Sequence, residues 1–294
     1  MTGLPAAPAH LAVVRPGALT TVQDLGRAGQ AHLGVPRSGA ADRRSHAFAN
    51  RLVGNPESAA TLETTVVGCA VRTDADRWFA VAGAPCPVAA GGRAVPFGAP
   101  FLVRAGETVE LGPVVAGVRS YLAVGGGIAV PEVLGSRATD LMSGLGPAPL
   151  AAGAVLPLGP AAAAPDATGA PPPGLARGPV LRVTPGPRSG FFPPAAWELL
   201  RAHAWTVLPA SNRIGVRLDG PALPRTGGDA LPSEGMVPGA LQVPPNGLPV
   251  LFLADHPTTG GYPVIGCVHP ADLPHAAQAA PGSALRFRIV PDRW

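Results

Sequence analysis

Short runs of alternating or β-branched apolar residues fill most of the sequence from about Leu62 to about Val130. These runs are separated by Gly and Pro, a pattern that is typical of strands joined by tight turns. They are TLETTVVGCAVRT, RWFAVAG, FLVRAGETVELG and RSYLAVGGGI, and further strands are predicted over 11–22, 180–184, 251–254 and 283–290. Strands therefore dominate, and the pattern predicts a mainly β protein.

A few short helices are expected between the strands. The segment 41–53, ADRRSHAFANRLV, places its apolar residues on one helical face, and Gly54 supplies a stop signal. The next residues, NPESAA, predict one further helical turn that begins with a proline. Other helices are predicted over 194–204 and directly after Asp272.

The chain is expected to fold as two halves. A Gly turn followed by alternating apolar residues occurs at 104–112, 151–159 and 280–288. This weak internal similarity is what two barrels with similar closing strands would show. Between the halves, PAAAAPDATGAPPPGLA is too rich in small residues and proline to fill a core. We therefore predict domains over 11–160 and 177–291, joined by a linker or exposed loop over 161–176.

The basic residues exclude several kinds of chemistry. Lysine is absent, so all 22 basic residues are arginine. A usual P-loop, a Schiff base and attached biotin or lipoate each need a lysine, so this chain can form none of them. The net charge of +4 is spread thinly, without an arginine cluster interleaved with aromatic residues, so nucleic-acid binding is not expected.

The cysteines and the apolar runs indicate the cellular compartment of the protein. The three cysteines, Cys69, Cys86 and Cys267, lie far apart without a CxxC pair, which argues against a zinc site and suits a reducing cytosol. The first residues, MTGLPAAPAHLAVV, lack the basic region of a signal peptide, and no apolar run approaches the ~20 residues that span a bilayer. We therefore expect a cytoplasmic protein without a metal centre or a membrane partner.

Three stretches depart from the core-building pattern, because they are rich in glycine and in polar side chains. The first, 20–45, carries Gln23, Asp24, Arg27 and Ser38; the second, 211–247, carries Asn212, Arg213 and Glu234; the third, 254–263, carries Asp255, His256, Thr258, Thr259, Gly260, Gly261 and Tyr262. Each stretch could instead be a turn that hydrogen-bonds to its own backbone, as Asx and Thr turns commonly do.

The residue types in these stretches suit recognition of a carbonyl or a carboxylate. Consecutive glycines let backbone N–H groups approach an anion or a carbonyl oxygen, and threonine hydroxyls add donors. An Asp-His pair at the end of a strand can move protons. Arg27 or Arg213 could bind a carboxylate through two hydrogen bonds, although a surface position is the commoner outcome for a single arginine.

The same stretches resemble those of the allophanate-hydrolase-subunit-2 family. The matching segments are TTVQDLGRAGQAHLGVPRSGAADRRSHAFANRLVGNPESAATLE, SNRIGVRLDGPAL, LPSEGMVPGALQVPPNGLPV and ADHPTTGGYPVIG. Family members are described as the C subunit of 5-oxoprolinase, as the antagonist of a sporulation-kinase inhibitor, or as a biotin-dependent carboxyltransferase domain. The resemblance runs from about residue 11 to residue 291, and it is more specific for the family than for a reaction.

The resemblance implies two cyclophilin-like β-barrel domains with a few short helices and a cleft between them, to which the polar segment 20–45 contributes. It implies a partner of the allophanate-hydrolase-subunit-1 type, which is the B subunit in 5-oxoprolinase, and the 5-oxoprolinase version adds an A subunit. Such a complex uses ATP to open the lactam of 5-oxo-L-proline to L-glutamate. Similar modules in urea carboxylase move a carboxyl group from biotin to urea.

Four positions depart from the pattern that the resemblance implies. His256 stands where Arg is frequent, Pro257 where Gln is usual and Val264 where Lys is usual. Asn212 stands where Asp is frequent, which is a milder change. If the usual Gln or Lys helps to hold the substrate, this chain has lost that contact, and a changed substrate or a weak enzyme would follow.

The leading hypothesis is a subunit of an ATP-dependent 5-oxoprolinase complex that acts on a small lactam or amide. The proton carrier would be Asp255, His256 or Glu234, and the oxyanion would be held by Thr258–Gly261. The substrate carboxylate would be bound by Arg27 or Arg213. The remaining expected substrate contacts are Gln23, Asp24, Ser38, Asn212 and Tyr262. ATP would be bound mainly by a partner or at a shared interface, because the chain has no P-loop.

Two alternatives stay open. In the first, the chain is a biotin-dependent carboxyltransferase subunit that acts on urea or a related amide, with the biotin carried on another protein. In the second, it is a regulatory binding protein that antagonises a kinase inhibitor and needs no intact cleft. The departures at His256, Pro257 and Val264 suit the regulatory protein slightly better than an enzyme.

Overall fold

The computed structural model describes residues 9–161, 165, 174–175, 178–226 and 231–291. These residues form two compact units. Unit 1 contains the described residues of Met1–Gly26, Arg43–Thr139 and Leu145–Pro173, and unit 2 contains those of Arg27–Asp42, Asp140–Gly144 and Gly174–Trp294. The linker predicted over 161–176 lies mostly outside the described residues and stays a prediction.

Unit 1 is built from two antiparallel sheets. Its strands are β1 (His10–Arg15), β2 (Thr20–Gln23), β3 (Thr61–Thr65), β4 (Ala70–Thr73), β5 (Arg77–Gly83), β6 (Val88–Ala90), β7 (Arg93–Ala94), β8 (Phe101–Val103), β9 (Thr108–Leu111), β10 (Arg119–Val124) and β11 (Val155–Pro157). A six-stranded sheet has the order β11-β1-β4-β9-β6-β7, and a five-stranded sheet has the order β2-β3-β10-β5-β8. Both sheets contribute side chains to one apolar core.

The alternation along each strand decides which side chains enter that core. In β10, Leu122 and Val124 belong to the core, whereas Tyr121 points to the opposite face of the sheet. That opposite face is also covered, because helix α1 (Arg43–Leu52) contacts β5 and β10. Every residue of β10 is therefore buried.

Polar side chains are buried where α1 meets the five-stranded sheet. The Nδ1 atom of His46 lies 2.9 Å from the Thr61 hydroxyl, and its Nε2 atom lies 3.0 Å from the Glu57 carbonyl oxygen. The imidazole meets the Tyr121 ring edge-on, and the Tyr121 hydroxyl donates to Glu63 at 2.7 Å. Because a carbonyl oxygen only accepts, Nε2 carries the proton of a neutral ring. Burial lowers the pKa of His46 to about 4.

This lowered pKa predicts that acid destabilises unit 1. Unfolded His46 binds a proton below pH 6.5, whereas the folded ring stays neutral down to about pH 4, so the unfolded state binds more protons in that window. The His46 contribution is fully present above pH 6.5, and up to about 3 kcal/mol is lost as the pH falls to 4. Hydrogen exchange in α1 and β3 measures the change. The His46→Gln variant should show a smaller pH dependence, and an equal dependence would contradict the assignment.

Unit 2 is organised around a closed barrel. Its strands are β12 (Val180–Pro185), β13 (Trp205–Val207), β14 (Gly215–Asp219), β15 (Glu234–Gly235), β16 (Ala240–Gln242), β17 (Val250–Phe252), β18 (Thr259–Gly260), β19 (Val264–Val268) and β20 (Ala284–Ile289). The barrel has the order β12-β19-β16-β17-β14-β13-β20, and the parallel pairing of β20 with β12 closes it. Strands β15 and β18 form a separate two-stranded sheet.

The barrel core packs around a large aromatic side chain. Trp205 is fully buried, and its indole N–H donates to the Leu200 carbonyl at 3.2 Å. Leu200 and Ala196 lie on helix α2 (Pro194–Ala202), which packs its apolar face against the same core. Because a buried indole needs a hydrogen-bond acceptor, this bond fixes the end of α2 relative to β13.

The polar segment 20–45 is divided between the two units. Ala41 belongs to the core of unit 2, and the Asp42 carboxylate accepts a hydrogen bond from the Gln278 amide at 2.9 Å. Gln278 follows helix α3 (Leu273–Ala277) at the far end of the sequence. The contacts of residues 27–42 with unit 2 therefore cut across the predicted sequential division into 11–160 and 177–291.

The secondary structure confirms the mainly β prediction and the positions of the helices. The observed helices Arg43–Leu52 and Pro194–Ala202 lie within the predicted ranges 41–53 and 194–204, and α3 follows Asp272 as expected. Helix α2 buries Ala196 and Leu200 on one face, which is the property that the sequence pattern detects, whereas α1 is buried over most of its surface.

The single turn predicted at NPESAA is present, but it is an isolated turn. The Ala59 N–H donates to the Pro56 carbonyl at 2.9 Å, which makes a single turn and no helix. Asn55 explains the difference, because its side-chain amide donates to the Val124 carbonyl and its Oδ1 accepts from the Gly126 N–H, both at 2.8 Å. Those bonds tie the segment to the end of β10 and leave it irregular.

Candidate functional site

Most of the predicted site residues lie in unit 2. They are Arg27, Ser38, Asn212, Arg213, Glu234, Asp255, His256, Thr258, Thr259, Gly260, Gly261 and Tyr262, whereas Gln23 and Asp24 lie in unit 1. The unit 2 residues come from three separate stretches of sequence, and the barrel brings several of them into contact.

A buried ion pair holds the centre of this group. The Arg213 guanidinium binds the Asp255 carboxylate through two hydrogen bonds, both 2.8 Å long, and the two side chains are 1% and 0% exposed. Arg213 also donates to the Gly39 carbonyl at 2.7 Å. A bidentate pair with further partners is the arrangement that compensates for the loss of water around buried charges.

Two more donors complete the surroundings of the Asp255 carboxylate. The Ser38 hydroxyl lies 2.6 Å from one oxygen, and the Leu141 N–H lies 3.1 Å from the other. Ser38 has a φ of 54°, a left-handed conformation that costs energy for a residue with a side chain. The bond to Asp255 offsets that cost, so the carboxylate anchors both the 38–39 segment and the 140–144 segment within unit 2.

These contacts indicate a structural role for Asp255. Its carboxylate accepts four hydrogen bonds, which come from the Arg213 guanidinium, the Ser38 hydroxyl and the Leu141 N–H. It is fully buried, so its oxygens are directed at protein donors. The catalytic role predicted for Asp255 stays a prediction, and the neighbouring His256 has a geometry that fits proton transfer better.

His256 presents one ring nitrogen that the described residues leave without a hydrogen-bond partner. Its Nδ1 atom lies 2.7 Å from the Pro257 carbonyl oxygen, which fixes the proton on Nδ1. Nε2 is then an acceptor with an open lone pair. Burial lowers the pKa of His256, and it outweighs the hydrogen bond to Pro257 and the charges of Asp255 and Asp140, which raise it. The imidazole is therefore neutral near pH 7, the form that a general base needs.

Glu234 is engaged in an ion pair. Both Nε and Nη2 of Arg188 bind one Glu234 carboxylate oxygen. The hydrogen bond from Arg188 holds the pKa of Glu234 below its usual range. A partly exposed, ionised carboxylate with a guanidinium partner is a poor proton donor at neutral pH, so the pair fixes β15 to the loop that carries Arg188.

Strands β15 and β18, here called the flap, carry the predicted oxyanion residues. Glu234 is paired with Gly260 and Gly235 with Thr259, and the Met236 N–H donates to the Thr258 carbonyl at 2.8 Å. Hydrogen-bonded and non-hydrogen-bonded pairs alternate in an antiparallel ladder. Met236 and Thr258 form a hydrogen-bonded pair, so the next pair, Gly235–Thr259, is non-hydrogen-bonded. The Thr259 N–H therefore points away from β15.

The flap covers an apolar cluster on the outside of the barrel, formed by Met236, Ala240, Phe252 and Val264. A Cβ atom on Gly260 would lie 2.7 Å from the Gln242 side-chain nitrogen, so a larger residue at this position would displace that amide. The same nitrogen donates to the Tyr262 carbonyl at 3.2 Å. Val264 thus contributes packing at a position where the family resemblance led us to expect lysine.

Other predicted binding residues have local contacts. The Asn212 side-chain oxygen accepts from the N–H groups of Ile214 and Gly215 at 2.8 and 3.3 Å, which is an Asx-turn. Arg27 is buried, and its backbone N–H donates to the Arg37 carbonyl at 2.8 Å, which closes the loop between them. A substrate contact for Asn212 or Arg27 stays a prediction.

The two predicted residues in unit 1 bind one loop. The Gln23 amide donates to the Thr139 carbonyl at 2.9 Å. The Asp24 carboxylate accepts from the Ser136 hydroxyl and the Arg137 N–H, both at 2.6 Å, and from the Gly26 N–H at 2.8 Å. These bonds attach residues 136–139 to the end of β2, and a substrate contact for Gln23 or Asp24 stays a prediction.

Two parts of the site could not be recognised from the residues that were predicted to form it. Arg188 gave no local signal, because it is separated from Glu234 by 46 positions. Asp140–Gly144 also went unrecognised, although Asp140 accepts hydrogen bonds from the N–H groups of Met142 and Ser143. An Asp followed closely by Ser and Gly is a turn signal, and it could have identified this segment.

No group of three or more His, Cys, Asp or Glu side chains in the described part of the chain could hold a metal ion. None of the described helices has the length and apolar character needed to cross a bilayer.

Known proteins match the chain over nearly its whole length. The family described as Carboxyltransferase domain, subdomain A and B, matches residues 33–289. The C subunit of 5-oxoprolinase from Escherichia coli is 40% identical over 281 residues, which cover 94% of this chain and 90% of that protein. The urea amidolyase of Lachancea kluyveri is 33% identical over 95% of this chain, but over only 17% of its own length.

A solved structure also has the same fold. The crystal structure of TTHA0988 superposes with a TM-score of 0.87 at 38% identity and covers 97% of this chain. This chain spans only 56% of the TTHA0988 chain, so the likeness concerns about half of that protein.

Proposed function

This chain belongs to the carboxyltransferase domain family, and from that premise we propose that it is the C subunit of a 5-oxoprolinase. The proposed complex uses ATP to hydrolyse the lactam of 5-oxo-L-proline to L-glutamate. The observation that carries the proposal is the match to the E. coli 5-oxoprolinase protein, with 40% identity over 90% of that protein. The urea amidolyase is matched over only a small part of its length, so the 5-oxoprolinase protein is the better correspondence.

His256 is the proposed proton carrier of unit 2. Its Nε2 lone pair accepts a proton from the water molecule that attacks the lactam carbon, while the bond from Nδ1 to the Pro257 carbonyl holds the ring in the required tautomer. The protonated imidazole then gives the proton to the ring nitrogen as the C–N bond breaks. The lactam takes up one water molecule, and the products are a free amine and a carboxylate, as in glutamate. The coupled hydrolysis of ATP consumes a second water molecule and releases ADP and phosphate.

The flap is the proposed source of oxyanion stabilisation. The Thr259 N–H points away from β15, as its place in the ladder requires, and its hydroxyl lies on the same exposed residue. Donors that are fixed before the reaction stabilise a developing negative charge without reorganisation. The Arg188–Glu234 pair and the Gln242–Tyr262 bond keep the flap in position.

ATP is assigned to a partner or to a shared interface. The chain contains no lysine, so its residues do not fit a P-loop type of ATP site. The proposed partners are the other two 5-oxoprolinase subunits, namely the B subunit, which is of the allophanate-hydrolase-subunit-1 type, and the A subunit. A cytoplasmic location accompanies the proposal, because the complex would act on a small metabolite with cellular ATP.

A carboxyltransferase role is the second candidate. It is favoured by the 33% identity to a urea amidolyase over 95% of this chain. In that case the same surface of unit 2 would face carboxybiotin on another protein, because a lysine-free chain cannot carry biotin itself. Urea or a related amide would replace the lactam.

The test is an omission experiment. This chain is co-expressed with the homologues of the A and B subunits from the same genome, and glutamate release from 5-oxoproline and ATP is measured with and without it. We expect glutamate release to fall to background when this chain is omitted and to return when purified chain is added. Undiminished release without the chain, or none from a fully assembled complex, would contradict the proposal. Carboxylation of urea by the complex would support the second candidate.

A further inference from the structure

Gln242 places a polar side chain among apolar ones on the outside of the barrel. Leu241 belongs to the barrel core, so the alternation along β16 directs Gln242 to the outer face. Its cross-strand neighbours are Val250 in β17 and Val264 in β19, and both pack in the apolar cluster beneath the flap. Only 6% of Gln242 is exposed, so its amide group needs partners that replace water.

The protein satisfies one end of this amide. The side-chain nitrogen of Gln242 donates to the Tyr262 carbonyl at 3.2 Å. Because a carbonyl oxygen only accepts, this bond fixes the nitrogen on the side of Tyr262 and directs Oε1 away from it. Among the described residues, Oε1 has no hydrogen-bond partner. A structural role therefore accounts for the nitrogen and leaves the oxygen, an acceptor with two lone pairs, unexplained.

Gln242 lies near the group that is proposed as the proton carrier. The pairing of β16 with β17 makes Phe252 the diagonal neighbour of Gln242 on the same outer face. The Phe252 and His256 rings have centroids 6.4 Å apart. Gly260 of the flap lies over the amide, since a Cβ atom there would be 2.7 Å from the Gln242 nitrogen. The flap and His256 therefore both adjoin the surroundings of Gln242.

We propose that Gln242 selects substrates that carry an amide N–H group. Its Oε1 atom accepts a hydrogen bond from the nitrogen of the scissile amide, which is the leaving group of the reaction. This inference rests on the proposed function, in which His256 protonates that nitrogen as the C–N bond breaks. A nitrogen that gains a proton becomes a stronger donor, so the bond to Oε1 strengthens toward the transition state and lowers the barrier. A tertiary amide or an ester would leave Oε1 unpaired.

The experiment compares 5-oxoproline with N-methyl-5-oxoproline, which lacks the N–H group, in the assembled complex. The wild type should prefer 5-oxoproline by about 10²-fold or more in kcat/KM, because an acceptor that is left unpaired in the site rejects the analogue. Gln242→Met should lower kcat/KM for 5-oxoproline by about tenfold and change the value for the N-methyl compound by less than about twofold. Mass spectrometry measures product formation, since the two substrates give different products.

Two further variants separate substrate selection from a structural role. Gln242→Glu keeps an oxygen acceptor at the same position, so it should retain the preference for 5-oxoproline even where loss of the bond to Tyr262 slows both reactions. Gln278→Met is the matched control, because Gln278 is also 6% exposed in unit 2 and its amide donates to Asp42. This control should leave the ratio of the two kcat/KM values unchanged.

The outcomes separate this inference from the proposed function. Equal proportional losses for both substrates in Gln242→Met would show that Gln242 only holds the flap, which would overturn the selection and leave the 5-oxoprolinase assignment intact. An assembled complex that carboxylates urea and releases no glutamate would overturn that assignment instead. Urea also donates N–H groups, so a KM for urea that rises about tenfold in Gln242→Met would then support the inference, and an unchanged KM would overturn it.

Discussion

The Asp255→Ala variant should lose about 3–5 kcal/mol of the stability of unit 2. The substitution leaves the Arg213 guanidinium buried at 1% exposure without its counter-charge. It also removes the acceptor of the Ser38 hydroxyl and of the Leu141 N–H. Hydrogen exchange of the amides in β14 and β17 measures the loss, because β14 follows Arg213 in the sequence and β17 precedes Asp255.

Two further variants make this prediction specific. Glu198→Ala removes an exposed ion pair with Arg201 and should leave exchange in the barrel unchanged. The double variant Arg213→Met with Asp255→Leu should recover part of the loss, because it removes the uncompensated charge. An Asp255→Ala protein that exchanges like Glu198→Ala would show that the pair does not anchor unit 2.

The His256→Gln complex should release glutamate about 10²–10⁴-fold more slowly than the wild type. Glutamine can still hydrogen-bond, but it cannot accept and return a proton near neutral pH. We expect the loss mainly in kcat, because the proton transfer occurs in the chemical step. Steady-state kinetics of the assembled complex measure it, with 5-oxoproline as the varied substrate and ATP saturating.

His203→Gln is the matched control for this variant. His203 is exposed at the end of α2, where its Nδ1 atom lies 3.2 Å from the Leu199 carbonyl oxygen. Its replacement should leave kcat unchanged. Equal rates for His256→Gln and His203→Gln would exclude His256 as the proton carrier and return Glu234 to consideration.

Elements that depend on neighbouring residues could be predicted from the sequence. The alternation in RSYLAV predicts β10, and the one-sided apolar face of residues 41–53 predicts α1, because both patterns are complete within one element. In NPESAA, the sequence predicted the turn at Pro56 but not the irregular course of the segment. Its irregular course depends on Asn55 bonds to Val124 and Gly126, which lie 69 and 71 positions later and which no local pattern contains.

The site is harder to predict, because its contacts join distant positions. Ser38 and Asp255 are 217 positions apart, and Arg213 and Asp255 are 42 apart. The residue types alone indicated that Ser38, Arg213 and Asp255 could bind a substrate. Their contacts with one another instead indicate that they hold segments of unit 2 together. The open Nε2 atom of His256 follows from the tautomer that Pro257 fixes, which is a property of geometry and not of spacing.

The pH dependence of kcat/KM for glutamate release tests most directly whether His256 acts as the base. Its pKa is lowered from 6.5, so the wild-type complex should lose activity with a midpoint below pH 6.5, as the pH falls through the lowered pKa and the imidazole becomes protonated. His256→Gln should be slow and lack this acid limb. An acid limb of the same midpoint in the wild type and in His256→Gln would contradict the assignment.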